Sequence, residues 1–163
     1  MGLDMYLSAR KYVNKIDWAK MREVEDYSEA TLPEYNEVVQ AAGLQDVQQD
    51  NEIYGASVSV NCAYWRKVNS VHNWFVQNVQ DGEDNCGEYY VSQDKLKELL
   101  TTCRQALLHT DPSKLMPQEG FFFGSYDIDQ YYWGDIKNTI KQLERVSNLP
   151  DFERLSFSYQ SSW

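Results

Sequence analysis

The stretch richest in chemistry is "AYWRKVNSVHNWF", Ala63 to Phe75, which sets Arg66, Lys67 and His72 among Tyr64, Trp65, Trp74 and Phe75. Such a set can hold an anion. Arginine offers a planar fork of donors to a phosphate, and an aromatic face can stack on a base. The same residues also read as a core-facing helix whose cations make surface ion pairs, each worth little. Arg66 and Lys67 are the first cations after a run, Glu23 to Trp65, that contains no Lys or Arg. Both readings stay open at this level.

Other catalytic sets are thin. The chain has 2 histidines, His72 and His109. It has no H-E-x-x-H, P-loop, G-x-G-x-x-G or G-x-S-x-G motif. Cys62, Cys86 and Cys103 are widely spaced with no C-x-x-C pair, which predicts free thiols of a reducing compartment. "DGEDN" offers Asp81, Glu83 and Asp84 as hard-cation ligands but lacks the calcium-loop spacing, so it reads first as an acidic turn. Asp127, Asp129 and Asp135 read as charges at a helix N-terminus. The expectation is a protein without metal or cofactor that binds rather than turns over. A nucleotide-degrading enzyme using His72 as general acid or base is the third reading.

Composition narrows the partners. Lys+Arg total 15 against 25 Asp+Glu over 163 residues, a formal charge of -10. Phosphate backbones repel such a chain unless its cations are gathered, so general nucleic-acid binding is not expected. The N-terminal "MGLDMYLSARKYV" carries charges throughout and has no apolar core of a signal peptide. No apolar run is long enough for a bilayer span. A soluble, cytoplasmic protein is expected, with no membrane partner.

The elements that must position these residues follow from periodicity. Residues 2–12 alternate Leu3, Met5, Leu7 and Ala9 with polar neighbours, a strand pattern. Ile53 to Val60 reads as a second strand. A helix is expected over 63–80, because Val71, Tyr64, Phe75, Val68, Val79, His72, Trp65 and Val76 fall on one arc of about 140°. On that wheel His72 lies in mid-arc and Asn69 at its edge, so both need hydrogen-bond partners if buried. A satisfied core histidine and a cavity-lining one are both open. Trp74 falls on the opposite, wet face and suggests a contact with the acidic segment, a partner or a second copy in a symmetric homodimer.

Further on, Ser92 caps a helix to about His109 with Leu96, Leu99, Leu100, Cys103 and Leu107 on one side. "GFFFGS" reads as a short buried strand or a loop under the core. A last helix is expected from Asp127 to about Ser147, striped by Ile128, Tyr131, Tyr132, Ile136, Ile140 and Leu143. The closing "FERLSFSYQSSW", with Phe152, Leu155, Phe157 and Tyr159, reads as a final strand. The result is α+β: one domain over 1–163, a small, mostly antiparallel sheet packed by three or four helices.

Residues 14–51 interrupt this pattern as an acidic excursion, part helix ("LPEYNEVVQAAGL", with Gly43 near its end) and part loop. Its Glu23, Glu25, Asp26, Glu29, Glu34 and Glu37 read either as a solvated surface or as a negative patch that docks on a basic partner or mimics nucleic acid.

Four blocks carry a resemblance: "MGLDMYL", "YWRKVNSVHNWFVQNVQDG", "GFFFGSYDIDQYY" and the final "YQSSW". They cover about half the chain, and through them it resembles a family of small uncharacterised proteins of bacteriophages and prophages. The resemblance implies a role inside an infected bacterium, by analogy that of a counter-defence factor. On that reading the leading expectation is a binding protein that sequesters a small anionic, nucleotide-derived immune signal. Its pocket would draw Trp65, Arg66, Asn69 and His72 together with Tyr131 and Tyr132 and with Gln160, Ser161, Ser162 and Trp163. The simpler role for the tail is that Trp163 closes the core and its carboxylate meets Arg66. The alternative expectation is an acidic inhibitor that binds a host defence protein, of anti-CRISPR or nucleic-acid-mimic type, with Trp74 joining the six carboxylates on its docking surface.

Overall fold

A computed structural model describes residues 2–46, 54–120 and 123–163. The chain is α+β, with four α-helices and a four-stranded antiparallel sheet in the order β2-β1-β4-β3. In sequence the elements are β1 (Asp4–Asn14), α1 (Pro33–Ala41), β2 (Gly55–Arg66), α2 (Asn69–Asn78), β3 (Glu88–Val91), α3 (Gln93–His109), α4 (Gln130–Ser147) and β4 (Ser156–Ser162). Contacts divide the chain into two compact units, one of Met1–Ala9 with Val60–Trp163 and one of Arg10–Ser59.

The first unit holds the main core. Leu3, Met5 and Leu7 are fully buried, and so are Phe157 and Tyr159 of β4. Their alternation with more exposed neighbours is the period-2 pattern of a sheet with one covered face. Against that face lie Val71 and Phe75 of α2, Leu96, Leu99 and Cys103 of α3, and Ile136, Leu143 and Val146 of α4. Phe75 stacks flat on Tyr159 with ring centroids 3.9 Å apart. α3 and α4 pack on each other. β3 pairs antiparallel with β4, Val91 opposite Phe157 and Glu88 opposite Gln160. β3 was not foreseen: four residues, "EYYV", are too few to show a period.

The expected helix over 63–80 divides. Residues up to Arg66 are strand, and the helix begins at Asn69. The segment carries both periods, because Ala63 and Trp65 alternate while Val68, Val71 and Phe75 are spaced for a helix. Pairing with β1 decides where one gives way to the other. The Lys67 N–H still donates to the Leu3 carbonyl at 2.7 Å, and Lys67 then turns the chain with a φ of 58°. The predicted strand Ile53 to Val60 is the first half of β2, which starts at Gly55; Ile53 lies outside the described residues.

Trp74 is buried, not on a wet face. The wheel assumes one covered side, whereas seven of the ten residues of α2 are buried. Trp74 shares a groove with Lys97, Glu98 and Thr101 of α3, and the Lys95 ammonium lies 6.0 Å from the centre of its ring.

α3 begins after its Ser92 cap, whose hydroxyl accepts from the Lys95 N–H at 3.2 Å. α4 begins later than expected. Asp129 caps it by accepting from the Tyr131 and Tyr132 N–H groups at 2.8 and 3.0 Å, so Ile128 precedes the helix and is exposed. Phe121 and Phe122 of "GFFFGS" lie outside the described residues. Phe123 is buried in a loop, and Gly124 has a φ of 101°, a conformation that favours glycine.

The second unit takes in most of the acidic excursion; its residues 47–50 and 51 lie outside the described ones. Two 3-10 turns, Lys20–Arg22 and Tyr27–Ala30, precede α1. Pro33 opens α1, where its missing N–H costs nothing. Among the described residues of this unit the buried apolar ones are Ile16, Ala30, Tyr35 and Val39. Among the described residues no helix is long and apolar enough to cross a membrane.

Candidate functional site

The residues expected to line an anion pocket are each placed by the fold. Trp65 and Arg66 are neighbours on β2 and therefore point to opposite faces of the sheet. Trp65 is buried, its indole N–H donating to Thr139 Oγ1 at 3.0 Å. Arg66 lies on the outer face, largely exposed, with Nε 4.0 Å from the Asp4 carboxylate. Asn69 is buried and donates to the Ser125 carbonyl at 3.0 Å. The Tyr132 hydroxyl donates to the Leu115 carbonyl at 3.0 Å, while Tyr131 stands out in solvent. Gln160 is exposed and donates to the Cys86 carbonyl at 3.2 Å. Ser161 is buried and Ser162 exposed. Of this set, His72 and Trp163 meet at one group, the Asp84 carboxylate.

That group organises a hydrogen-bonded chain within the first unit. His72 has no exposed surface. Its Nε2 lies 3.1 Å from Asp84 Oδ2 and its Nδ1 2.7 Å from the Tyr159 hydroxyl. A carboxylate only accepts, so the imidazole proton belongs on Nε2, and Nδ1 accepts the Tyr159 O–H. Asp84 Oδ2 also accepts from Gln118 Nε2 at 3.1 Å, and Oδ1 accepts from the Trp163 indole N–H at 3.0 Å. Phe123 closes the cluster, edge-on to both His72 and Trp163.

Burial holds His72 below its ordinary pKa, with Asp84 opposing the shift. Burial, and then the charge of Asp84, push the Tyr159 phenol well above its own. The imidazole is thus neutral at neutral pH. The order Asp–His–Tyr is that of an acid–base relay, but its inner end is fully buried under Phe75 and both imidazole nitrogens are engaged. A general base must reach the proton it moves. The solvent-facing end is Asp84, Gln118 and Trp163.

Sequence reasoning took Asp84 for part of an acidic turn. The turn is there, with Asp81 at φ 52° and Gly82 at φ 84°, and the Gly82 N–H bonded to the Val76 carbonyl at 2.8 Å. It folds the segment back along α2 and brings Asp84 to His72. A histidine needing a partner twelve residues before a carboxylate was the available signal.

Two grooves border the same unit. One, of about 660 Å³, runs between α2 and α3 over Trp74, Asn78, Lys97, Thr101, Gln105 and Lys114. The other, of about 400 Å³, lies where α4 meets β2. There Gln142 Oε1 accepts from the Tyr64 N–H at 2.9 Å, and Arg145 donates to the Cys62 carbonyl at 3.0 Å. Side chains of α4 thereby satisfy backbone groups on the free edge of β2. Among the described residues no group of three or more His, Cys, Asp or Glu side chains is placed to hold a metal ion.

The second unit presents a different surface. Glu23, Glu25, Asp26, Glu29, Glu34 and Glu37 are all exposed. The same unit also exposes Trp18, Tyr27 and Tyr54, at 53%, 40% and 53%. Asp17 Oδ1 accepts from the Ala19 and Lys20 N–H groups at 3.0 and 3.2 Å, which fixes the turn that displays Trp18. Trp18 and Tyr54 lie with ring centroids 6.2 Å apart. Asp26 caps the second 3-10 turn through the Ser28 N–H at 2.9 Å, and that bond holds its carboxyl below the usual range.

Comparison with family models, with curated proteins and with solved structures returned no match.

Proposed function

We propose that this is a binding protein that docks on a basic surface of another protein through the face of residues 10–59, acting as an acidic inhibitor of a host defence protein in an infected bacterium. One observation carries the reading. Trp18, displayed on a hydrogen-bonded turn and paired with Tyr54, is exposed in the same unit as Tyr27 and six exposed carboxylates. Tryptophan and tyrosine are enriched among the few residues that dominate binding energy at protein interfaces, and unlike charge steers the encounter. The host setting comes from the resemblance of the sequence blocks to phage proteins.

Sequestration of a nucleotide-like anion draws less support. Its expected guanidinium, Arg66, is on the sheet face away from Trp65 and is close to Asp4.

Titration calorimetry against purified defence proteins with basic surfaces tests the proposal. The affinity should fall steeply with salt. It should drop at least about ten-fold in Trp18→Ala and in the triple variant Glu23→Lys, Glu25→Lys, Glu29→Lys, with Arg66→Ala unchanged. Binding indifferent to salt and to these variants would overturn it. Loss confined to Arg66→Ala, with a cyclic dinucleotide retained in native mass spectrometry, would support the anion reading instead.

A further inference from the structure

We infer that Trp163 is a displaceable plug over a binding site for a guanidinium group, whose acceptors are Asp84 Oδ1 and Gln118 Oε1. Three observations converge. First, the Asp84 side chain is mostly buried, and among the described residues its one ion-pair partner is His72. Burial disfavours the charged form of that imidazole, so the carboxylate is met by N–H donors of His72, Gln118 and Trp163 and, among the described residues, by no Lys or Arg. A buried charge in that condition favours a cation.

Second, the two oxygens of Asp84 do different things. Oδ2 is tied inward to His72 and Gln118, while among the described residues the donor on Oδ1 is the Trp163 indole N–H. Trp163 is 45% exposed, and among the described residues its aromatic partner is Phe123. It is a neutral, partly exposed donor at that oxygen.

Third, Gln118 Oε1 is buried and has no partner. Its own Nε2 donates to Asp84 Oδ2, which fixes the amide orientation and leaves Oε1 of the same amide as an unmet acceptor. An unmet buried acceptor is costly and calls for a donor. A planar group with several N–H donors meets both needs at once; an ammonium lacks the fork, and a lone divalent cation would want more oxygen ligands than these two. The ligand class is therefore an arginine side chain or another alkylguanidine.

The test uses the full chain and N-acetyl-arginine amide as probe, followed by ¹H–¹⁵N NMR of the indole and imidazole signals. The probe should release the Trp163 indole N–H and shift the His72 Nε2 signal. Trp163→Ala, with no plug to displace, should bind at least ten-fold more tightly than the parent chain. Asp84→Asn should not bind, and Gln118→Leu, which keeps the carboxylate and its bond to His72, should bind several-fold more weakly. N-acetyl-lysine amide should bind more weakly than the arginine probe. An affinity that does not rise in Trp163→Ala, or a probe that leaves both signals in place, overturns the inference. So does equal binding of the two amides. If Asp84→Asn does not fold, Gln118→Leu decides. Neither result depends on the face of residues 10–59, whose own variants test that proposal separately.

Discussion

His72 and Tyr159, 87 residues apart in sequence, share one hydrogen bond of 2.7 Å in the centre of the core. The bond matters because the imidazole has no water to turn to. Removing the hydroxyl in Tyr159→Phe keeps the ring stack on Phe75 and leaves Nδ1 without a donor. The expected cost is about 1–3 kcal/mol, read as a lower urea midpoint with an unchanged slope.

The same histidine makes stability depend on pH. Its folded pKa lies below the unfolded value of 6.5 because burial penalises the charge. Below 6.5 the unfolded chain therefore binds a proton that the folded chain refuses. The contribution is complete above 6.5 and is lost progressively as pH falls from there toward the folded value. Urea unfolding at about pH 7.5 and about pH 5.5 should show the loss, and His72→Gln should flatten that part of the profile. An unaltered profile in the variant would assign the acid sensitivity elsewhere.

Gly124 sits at a φ of 101°, and a Cβ there would lie 3.1 Å from the Lys67 carbonyl oxygen. Lys67 is itself the left-handed residue between β2 and α2. Gly124→Ala is expected to destabilise by more than about 1 kcal/mol, from backbone strain and from crowding of that turn. Thermal unfolding compared with Gly134→Ala gives the control, since nothing lies within 4 Å of the latter position.

Gln142 and Arg145 reach from α4 to backbone groups on the edge of β2. Uncovering that edge leaves a template for strand pairing. The double variant Gln142→Ala, Arg145→Ala is expected to self-associate with rising concentration, as sedimentation velocity would show, while the parent chain runs unchanged over the same range.

The three free cysteines should separate by reactivity. Burial pushes the Cys103 thiol up to about 12, and it has no exposed surface. Cys62 and Cys86 are half-buried. A disulfide reagent near pH 8 should label Cys86 in the native state, Cys62 more slowly because burial raises its thiol and its S–H donates to the Leu7 carbonyl, and Cys103 only when urea unfolds the chain. Early labelling of Cys103 would show local opening between α3 and the sheet.

Local pattern was legible in the sequence wherever one period ran long enough to be unambiguous. Leu3, Met5 and Leu7 alternate without interruption, and α3 shows its cap at Ser92 and its stripe from Leu96 to Cys103. The acidic stretch was also plain, because charge segregation is a property of composition. The α+β class followed from these alone.

The residues around Tyr64 to Asn69 were not legible in this way, because they satisfy both periods. Pairing with β1 chose strand as far as Arg66 and thereby put Trp65 and Arg66 on opposite faces. Trp74 looked wet until α3 covered the second side of α2. Asp84 looked like a solvated turn residue until the chain folded back to His72, Gln118 and Trp163. Period, cap and charge are local properties, and the sequence by itself determined them. Which side chain meets which depends on groups 12, 34 and 79 residues away from Asp84, and only the tertiary structure brings those within hydrogen-bonding distance.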